Sequence, residues 1–331
     1  TKKFAANLPK NLSLIYWHYV KASSEHHSAT IRRLKGFGRD IMFAGGAWSW
    51  NGFTPNNAYS IENTKPAVKA CLDNGVKDIF LTLWGDDGGE CSRFAMLPTI
   101  VYTAGIFENK TVEQIKKDFF DITGMNYDDF MILDEMNESM PGDVEKNTEC
   151  CFANNKYTKL WLYNDPFLGM ADYRVTGKES AHYKEVYDKL MRVNVTDEYK
   201  PLFAYAAALA DLLSVKAELG ANTRKAYNSG DKNLLREVAE TQYSSAIEKL
   251  NEFYKEYRDF WFSENKPHGF DIQDVRLGGL MQRLKSCKER LIDYCDGKTE
   301  RIPELEEPVV AARRYATWGG MVSPNVITHI V

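Results

Sequence analysis

The sequence predicts an α/β segment of three strand-then-helix units followed by an all-α domain. Three observations carry this reading. Apolar, strand-like runs alternate with helical stretches up to residue 107, no convincing strand follows, and helical periodicity then continues almost to the end. The 331 residues are material for about two domains, here 1–107 and 108–331.

Leu12 to Val20 (LSLIYWHYV) reads as the first strand, Ser28 to Leu34 as part of a helix, and Asp40 to Ala47 (DIMFAGGA) as a second strand closing on glycines. A helix from Thr64 to Asn74 carries Val68, Cys71 and Leu72 on one side. Val76 to Trp84 (VKDIFLTLW) is the third strand. Each strand is apolar almost throughout, as expected of parallel strands covered on both faces and joined by right-handed crossovers. Thr111 to Phe120 predicts an amphipathic helix, and Lys200 to Leu219 is rich enough in Ala and Leu for a buried one. From Lys232 to Phe262 a stripe of Leu235, Val238, Tyr243, Ala246, Ile247, Leu250, Phe253, Tyr257 and Phe260 follows the helical period. Unbroken, that helix would run about 45 Å, which predicts a long bundle member or a dimer-forming helix.

Composition excludes several classes. Forty-two Lys and Arg against 46 Asp and Glu give a net charge of −4, with no basic face for a phosphate backbone, so no nucleic-acid partner is expected. Apolar runs such as Ile79 to Leu83 are far too short to span a bilayer, so no membrane partner is expected. The start shows neither a secretory n-region nor an h-region, and a cytoplasmic setting is expected. The cysteines Cys71, Cys91, Cys150, Cys151, Cys287 and Cys295 lack CxxC spacing and are read as reduced thiols. The six histidines lack metal spacing, and the glycines form neither a GxGxxG fingerprint nor a P-loop. No metal and no cofactor are predicted.

In strand-then-helix folds, ligands meet the carboxyl ends of the strands. All three predicted ends carry tryptophan: Tyr16-Trp17-His18-Tyr19, then Trp48 and Trp50 in GGAWSWNG, then Trp84 in LWGDDGGE. Flat rings beside glycines and carboxylates suit a sugar, since a ring packs on the C–H face of a pyranose while carboxylates accept from its hydroxyls.

At these residues the chain resembles glycoside hydrolase family 20, in particular compact bacterial exo-β-N-acetylhexosaminidases with a helical C-terminal domain. LTLWGDDGGECSRFAMLPTIVYTAGIF (Leu81 to Phe107), IYWHYV and FAGGAWSWNGFTP look like the last three βα units of the family's (β/α)8 TIM barrel. LWLYNDPFLGMAD, RLGGLMQRL and the terminal WGGMVSPNVITHIV look like its helical domain. The resemblance implies that Trp84 forms a wall of the terminal-sugar pocket. Asp86, or its neighbour Asp87, would bind hydroxyls at the far end of the sugar, and Trp48, or Trp50, would form a second wall around the N-acetyl group. Trp17 and Tyr19 fall where the family places an aromatic and a tyrosine that contacts the acetamido group. His18 stands where an aspartate is expected.

Family members use substrate assistance: the acetamido oxygen attacks the anomeric carbon, an Asp orients it and the adjacent Glu protonates the leaving oxygen. The resemblance places that pair at the end of the fourth barrel strand, upstream of this chain. Asp134-Glu135 in FMILDEMNESMPG, Asp128-Asp129 and the acidic run Glu304 to Glu307 are read as solvated charge. Asn164-Asp165-Pro166 and Asn265 to Gly269 are read as turns, with Asp165 and Arg276 as groups that could reach a neighbouring site.

The leading reading is therefore part of a glycosidase acting on a glycan with terminal β-linked N-acetylhexosamine, with a homodimer through the helical domain as a second expectation. Two others compete: a non-catalytic helical dimerisation module carrying a barrel remnant, and a small α/β enzyme using Asp86 and Glu90 as acid and base. Three βα units cannot close a barrel, so a sheet edge and an apolar sheet face are expected to be exposed.

Overall fold

A computed structural model describes residues 7, 9, 11–137 and 157–310. It divides into two compact units. The first comprises residues 1–49, 55–84 and 93–134, and the second residues 50–54, 85–92 and 135–331.

The first unit holds β1 (Leu14–Trp17), α1 (Ser24–Lys35), β2 (Ile41–Gly46), α2 (Asn57–Asp73), β3 (Asp78–Thr82), α3 (Leu97–Phe107), α4 (Val112–Thr123) and most of α5 (Tyr127–Glu135). The strands are parallel in the order β1-β2-β3. All three predicted strands form, each shorter than its apolar run. Tyr16, Ile41 and Phe43 are buried against Ile31 of α1 and Ala67, Ala70 and Cys71 of α2. Each such side chain contributes about 1.5–3 kcal/mol by leaving water.

Helix boundaries follow local chemistry. Ser23 caps α1 by accepting from the His26 amide, and Arg32, Arg33 and Lys35 complement the dipole at its other end. The α2 helix starts seven residues before its apolar pattern does, because Asn56 caps it by accepting from the Tyr59 amide. Thr111 and Gln114 form a capping box on α4, and Gly124, at φ 70°, ends it. Gly105 in α3 is required by packing, since a Cβ there would lie 2.3 Å from Cγ1 of Ile115.

Strand register places Ile15, Trp17, Met42 and Phe80 on the sheet face opposite that core. Ile15 and Trp17 are exposed, at 55% and 63%. At the β3 edge a hollow of about 500 Å³ is lined by Met42, Phe80, Leu83, Ile100 and Phe107.

The second unit contains α6 (Tyr157–Tyr163), α7 (Glu179–Leu190), α8 (Lys200–Lys216), α9 (Leu219–Asn228), α10 (Lys232–Glu237), α11 (Ser244–Glu264) and α12 (Phe270–Cys295). Its centre is α8, packed against α7 and α11. Phe53, Tyr205, Phe253, Tyr257 and Phe260 interlock there, with ring centroids 4.3–5.6 Å apart.

The predicted 232–262 helix is interrupted: residues Val238–Tyr243 form a π-helical segment between α10 and α11. The apolar stripe records the reason. Apart from adjacent Ala246 and Ile247, it steps by three or four residues except from Val238 to Tyr243, a step of five that a wider π turn keeps on one face. Leu235, Val238, Tyr243, Ala246, Leu250, Phe253, Tyr257 and Phe260 are buried and Ile247 is partly exposed, so all but one position of the stripe lies in the unit's own core.

Two acidic groups depart from the solvated state expected of them. Asp134 is buried and accepts from the Asn57 side chain at 3.0 Å and the Ala58 amide at 2.6 Å, which stabilises the start of α2. Glu304 pairs with Arg290, whose hydrogen bonds hold its carboxyl down at about 2. Asp128 is a surface charge as expected, paired with exposed Lys116. The Pro141-Gly142 stop, Cys150, Cys151 and the WGGMVSPNVITHIV segment lie outside the described residues. Of the other four cysteines, Cys71, Cys91 and Cys287 are buried and Cys295 is partly exposed.

Candidate functional site

At the carboxyl end of the sheet, the β1 and β3 termini meet above the glycines that end β2. Trp17 and Tyr19 contact edge to face with centroids 5.2 Å apart. Trp84 Nε1 donates to the Tyr19 hydroxyl at 2.8 Å, and that hydroxyl also pairs with Thr82 Oγ1. On the core face Gly45 makes room for its neighbours: a Cβ on it would lie 2.8 Å from the Leu81 side chain. Trp17 and Trp84 are exposed, at 63% and 46%, so the three rings present an aromatic surface to solvent.

Trp48, by contrast, is buried. It is 2% exposed, its ring packs edge-on against Tyr59 at 5.0 Å, and its amide donates to Ser60 Oγ at 2.9 Å. Trp50 is likewise buried. The two tryptophans sit in a tight connection that bonds back through Trp48 and Asn56, so indoles that look like loop residues serve packing.

The His18 ring lies tilted or edge-on to His26 and His27, with centroids 5.8 and 4.9 Å away. Burial lowers the His27 imidazole to about 4, and its Nδ1 meets the Tyr16 hydroxyl at 2.9 Å. Among the described residues no group of three or more His, Cys, Asp or Glu has the geometry to hold a metal ion.

Within the second unit, Asp86 is exposed and its backbone carbonyl accepts from the Asn51 amide at 3.1 Å. Asp87 and Glu90 are committed elsewhere. Lys159 Nζ lies 2.9 Å from Asp87 Oδ2, 2.5 Å from Glu90 Oε2 and 2.8 Å from the Asp87 carbonyl. Arg276 Nη1 donates to the Asp87 carbonyl and to Glu90 Oε1, both at 2.9 Å. The Glu90 carboxylate and the Lys159 ammonium are almost wholly buried, and the four charges sum to zero. Asp87, Gly88 and Gly89 all have positive φ, at 60°, 119° and 60°. A Cβ on Gly88 would lie 2.6 Å from Arg276 Nη1.

Glu90 is thus no acid or base partner for Asp86, and Arg276 is a ligand of this loop. Asp165 performs the predicted turn chemistry, accepting from the amides of Phe167 and Leu168 at 2.9 Å, and pairs with Arg283. Both Asp-Glu dipeptides in the described residues make structural contacts. Asp134 caps α2 and Glu135 pairs with Lys189, while Asp197 of the exposed Asp197-Glu198 step pairs with Lys200.

Sequence reasoning missed Lys159. Its signal was a single cation inside an otherwise apolar and aromatic run, YTKLWLY, where a charge that must be buried needs partners.

An α/β unit with aromatic strand ends and an all-helical unit holding an ion-paired loop define a two-part chain. The family model for the Glycoside Hydrolase 20C C-terminal domain matches residues 128–320. The chain belongs to that family, which supports a glycoside hydrolase as the full-length protein and a C-terminal portion of family 20 here. No curated protein matches the chain. Among the described residues no helix is long and apolar enough to cross a membrane.

Proposed function

We propose that this chain is the C-terminal portion of a β-N-acetylhexosaminidase, an enzyme that hydrolyses terminal non-reducing β-linked N-acetylglucosamine or N-acetylgalactosamine. The family match over residues 128–320 carries the proposal. The first unit, on this reading, is the last three βα units of a (β/α)8 barrel. The sequential parallel order supports it, as do the exposed apolar face of Ile15, Trp17 and Phe80 and the hollow at the β3 edge, because a barrel interior is filled by side chains from all of its strands.

Trp17, Tyr19 and Trp84 would meet the sugar's apolar face and acetamido group, and Asp86 its hydroxyls. Of the two adjacent acids, Asp86 is preferred because Asp87 is held by Lys159 and Arg276. Hydrolysis would be substrate-assisted with retention, and the orienting Asp and acid Glu are assigned to no residue of this chain. Binding of N-acetylglucosamine tests the site. It is expected to be weakened by Trp84→Ala and by Asp86→Ala, and concentration-dependent dimerisation without any sugar response would favour a non-catalytic interaction module instead.

A further inference from the structure

We propose that Lys159 and Arg276 are positioning residues: they clamp the Gly85–Ser92 loop through Asp87 and Glu90 and so fix the direction in which Asp86 is presented. This rests on the reading of Asp86 as a sugar-contacting carboxylate.

The loop has no regular structure of its own to hold it. Three consecutive residues with positive φ, one of them the non-glycine Asp87, form a turn that the backbone alone does not favour. What holds it is external. Lys159 bonds both the carboxylate and the carbonyl of Asp87, Arg276 bonds the same carbonyl, and the two cations grip Glu90 from either side. Tyr257 adds a hydrogen bond to the Glu90 carbonyl at 3.2 Å, and the Gln273 amide lies against Gly88, leaving room for glycine alone. These bonds to Asp87 and Glu90 come from α6, α11 and α12 of the helical unit. Asp86, one residue before the clamp, is tied through its carbonyl to Asn51 and keeps its side chain in solvent.

A helical unit that only added mass would not need a neutral four-charge cluster at this loop. Buried ion pairs add little net stability over apolar packing but specify geometry when every partner is present. Small displacements of a contacting group cost affinity steeply.

The test uses the full chain and its Arg276→Lys variant, which keeps the charge but loses the forked grip, with Asp87→Asn as a second, less buried variant. Two quantities are read: hydrogen exchange in peptides covering residues 50–54 and 85–92, and N-acetylglucosamine affinity by tryptophan fluorescence. Exchange in both peptides should accelerate by about tenfold or more in the variants. Affinity should fall on the order of tenfold, and this loss should vanish in an Asp86→Ala background, because the clamp acts through Asp86. Unchanged exchange in both variants would overturn the clamp. Faster exchange with unchanged affinity, or an affinity loss that persists in the Asp86→Ala background, would overturn its action on Asp86. A wild-type chain that gives no fluorescence response to the sugar would instead overturn the sugar reading and the role given to Asp86, while exchange still decides whether the clamp holds the loop.

Discussion

Replacing Lys159 by methionine removes one cation from a cluster whose formal charge is zero. Met fills much of the same buried volume, so the loss is mainly electrostatic. Glu90 would be left with Arg276 alone, and Asp87 would lose its 2.9 Å partner. Breaking a buried pair on one side leaves an uncompensated charge at about 3–5 kcal/mol. Removing the charge on Glu90 as well, in Lys159→Met with Glu90→Gln, restores neutrality around Asp87 and Arg276. The double variant should therefore be destabilised by at least about 1.5 kcal/mol less than the sum of the two single losses. Urea denaturation followed by tryptophan fluorescence and by far-UV circular dichroism gives the four stabilities of the cycle. A Lys159→Met loss under about 1 kcal/mol, or single losses that simply add, would refute a coupled buried cluster.

Three further outcomes follow from other residues. Gly88→Ala should cost about 2–3 kcal/mol in the same denaturation assay, since φ is 119° and the new Cβ would meet Arg276 Nη1 at 2.6 Å; a change within about 0.5 kcal/mol would contradict that contact. Asp134→Ala should lose about 1–3 kcal/mol by orphaning the Asn57 side chain and the Ala58 amide, whereas a solvated aspartate would give almost none. His27 is held neutral by burial, with its folded value down at about 4 against 6.5 unfolded, so the unfolded chain binds the extra proton between those limits. Stability of the first unit should then fall as pH drops from 6.5 toward 4, and a His27→Leu variant should show a flatter profile over that window.

The strands were legible because their runs are apolar almost throughout, though one face of the sheet is exposed at Ile15 and Trp17, and Ile41 to Gly46 fell inside the predicted segment. Helix α2 was legible only in its second half. Its first turns carry Asn57, Ser60 and Asn63, polar residues that read as loop yet are buried, with Asn57 bonding the Ala95 carbonyl and Asp134. The long C-terminal stripe is buried at every position but Ile247, which is partly exposed, and its five-residue step from Val238 to Tyr243 already contained the π segment that an α-helical reading smoothed over. At the candidate site, three of the four aromatic positions come to the sheet end, Trp17 and Trp84 exposed there and Tyr19 bonding Trp84. Trp48 is buried, because an indole's type and spacing do not tell whether it faces solvent or Tyr59. The Lys159 and Arg276 grip on Asp87 and Glu90 joins residues more than 60 positions apart, and no local pattern encodes such a pairing.

The most direct test is release of the aryl group from an aryl N-acetyl-β-glucosaminide by the full-length gene product. Release is expected, with Trp84→Ala and Asp86→Ala each slowing it by on the order of tenfold or more. No release by a folded full-length protein would contradict the assignment.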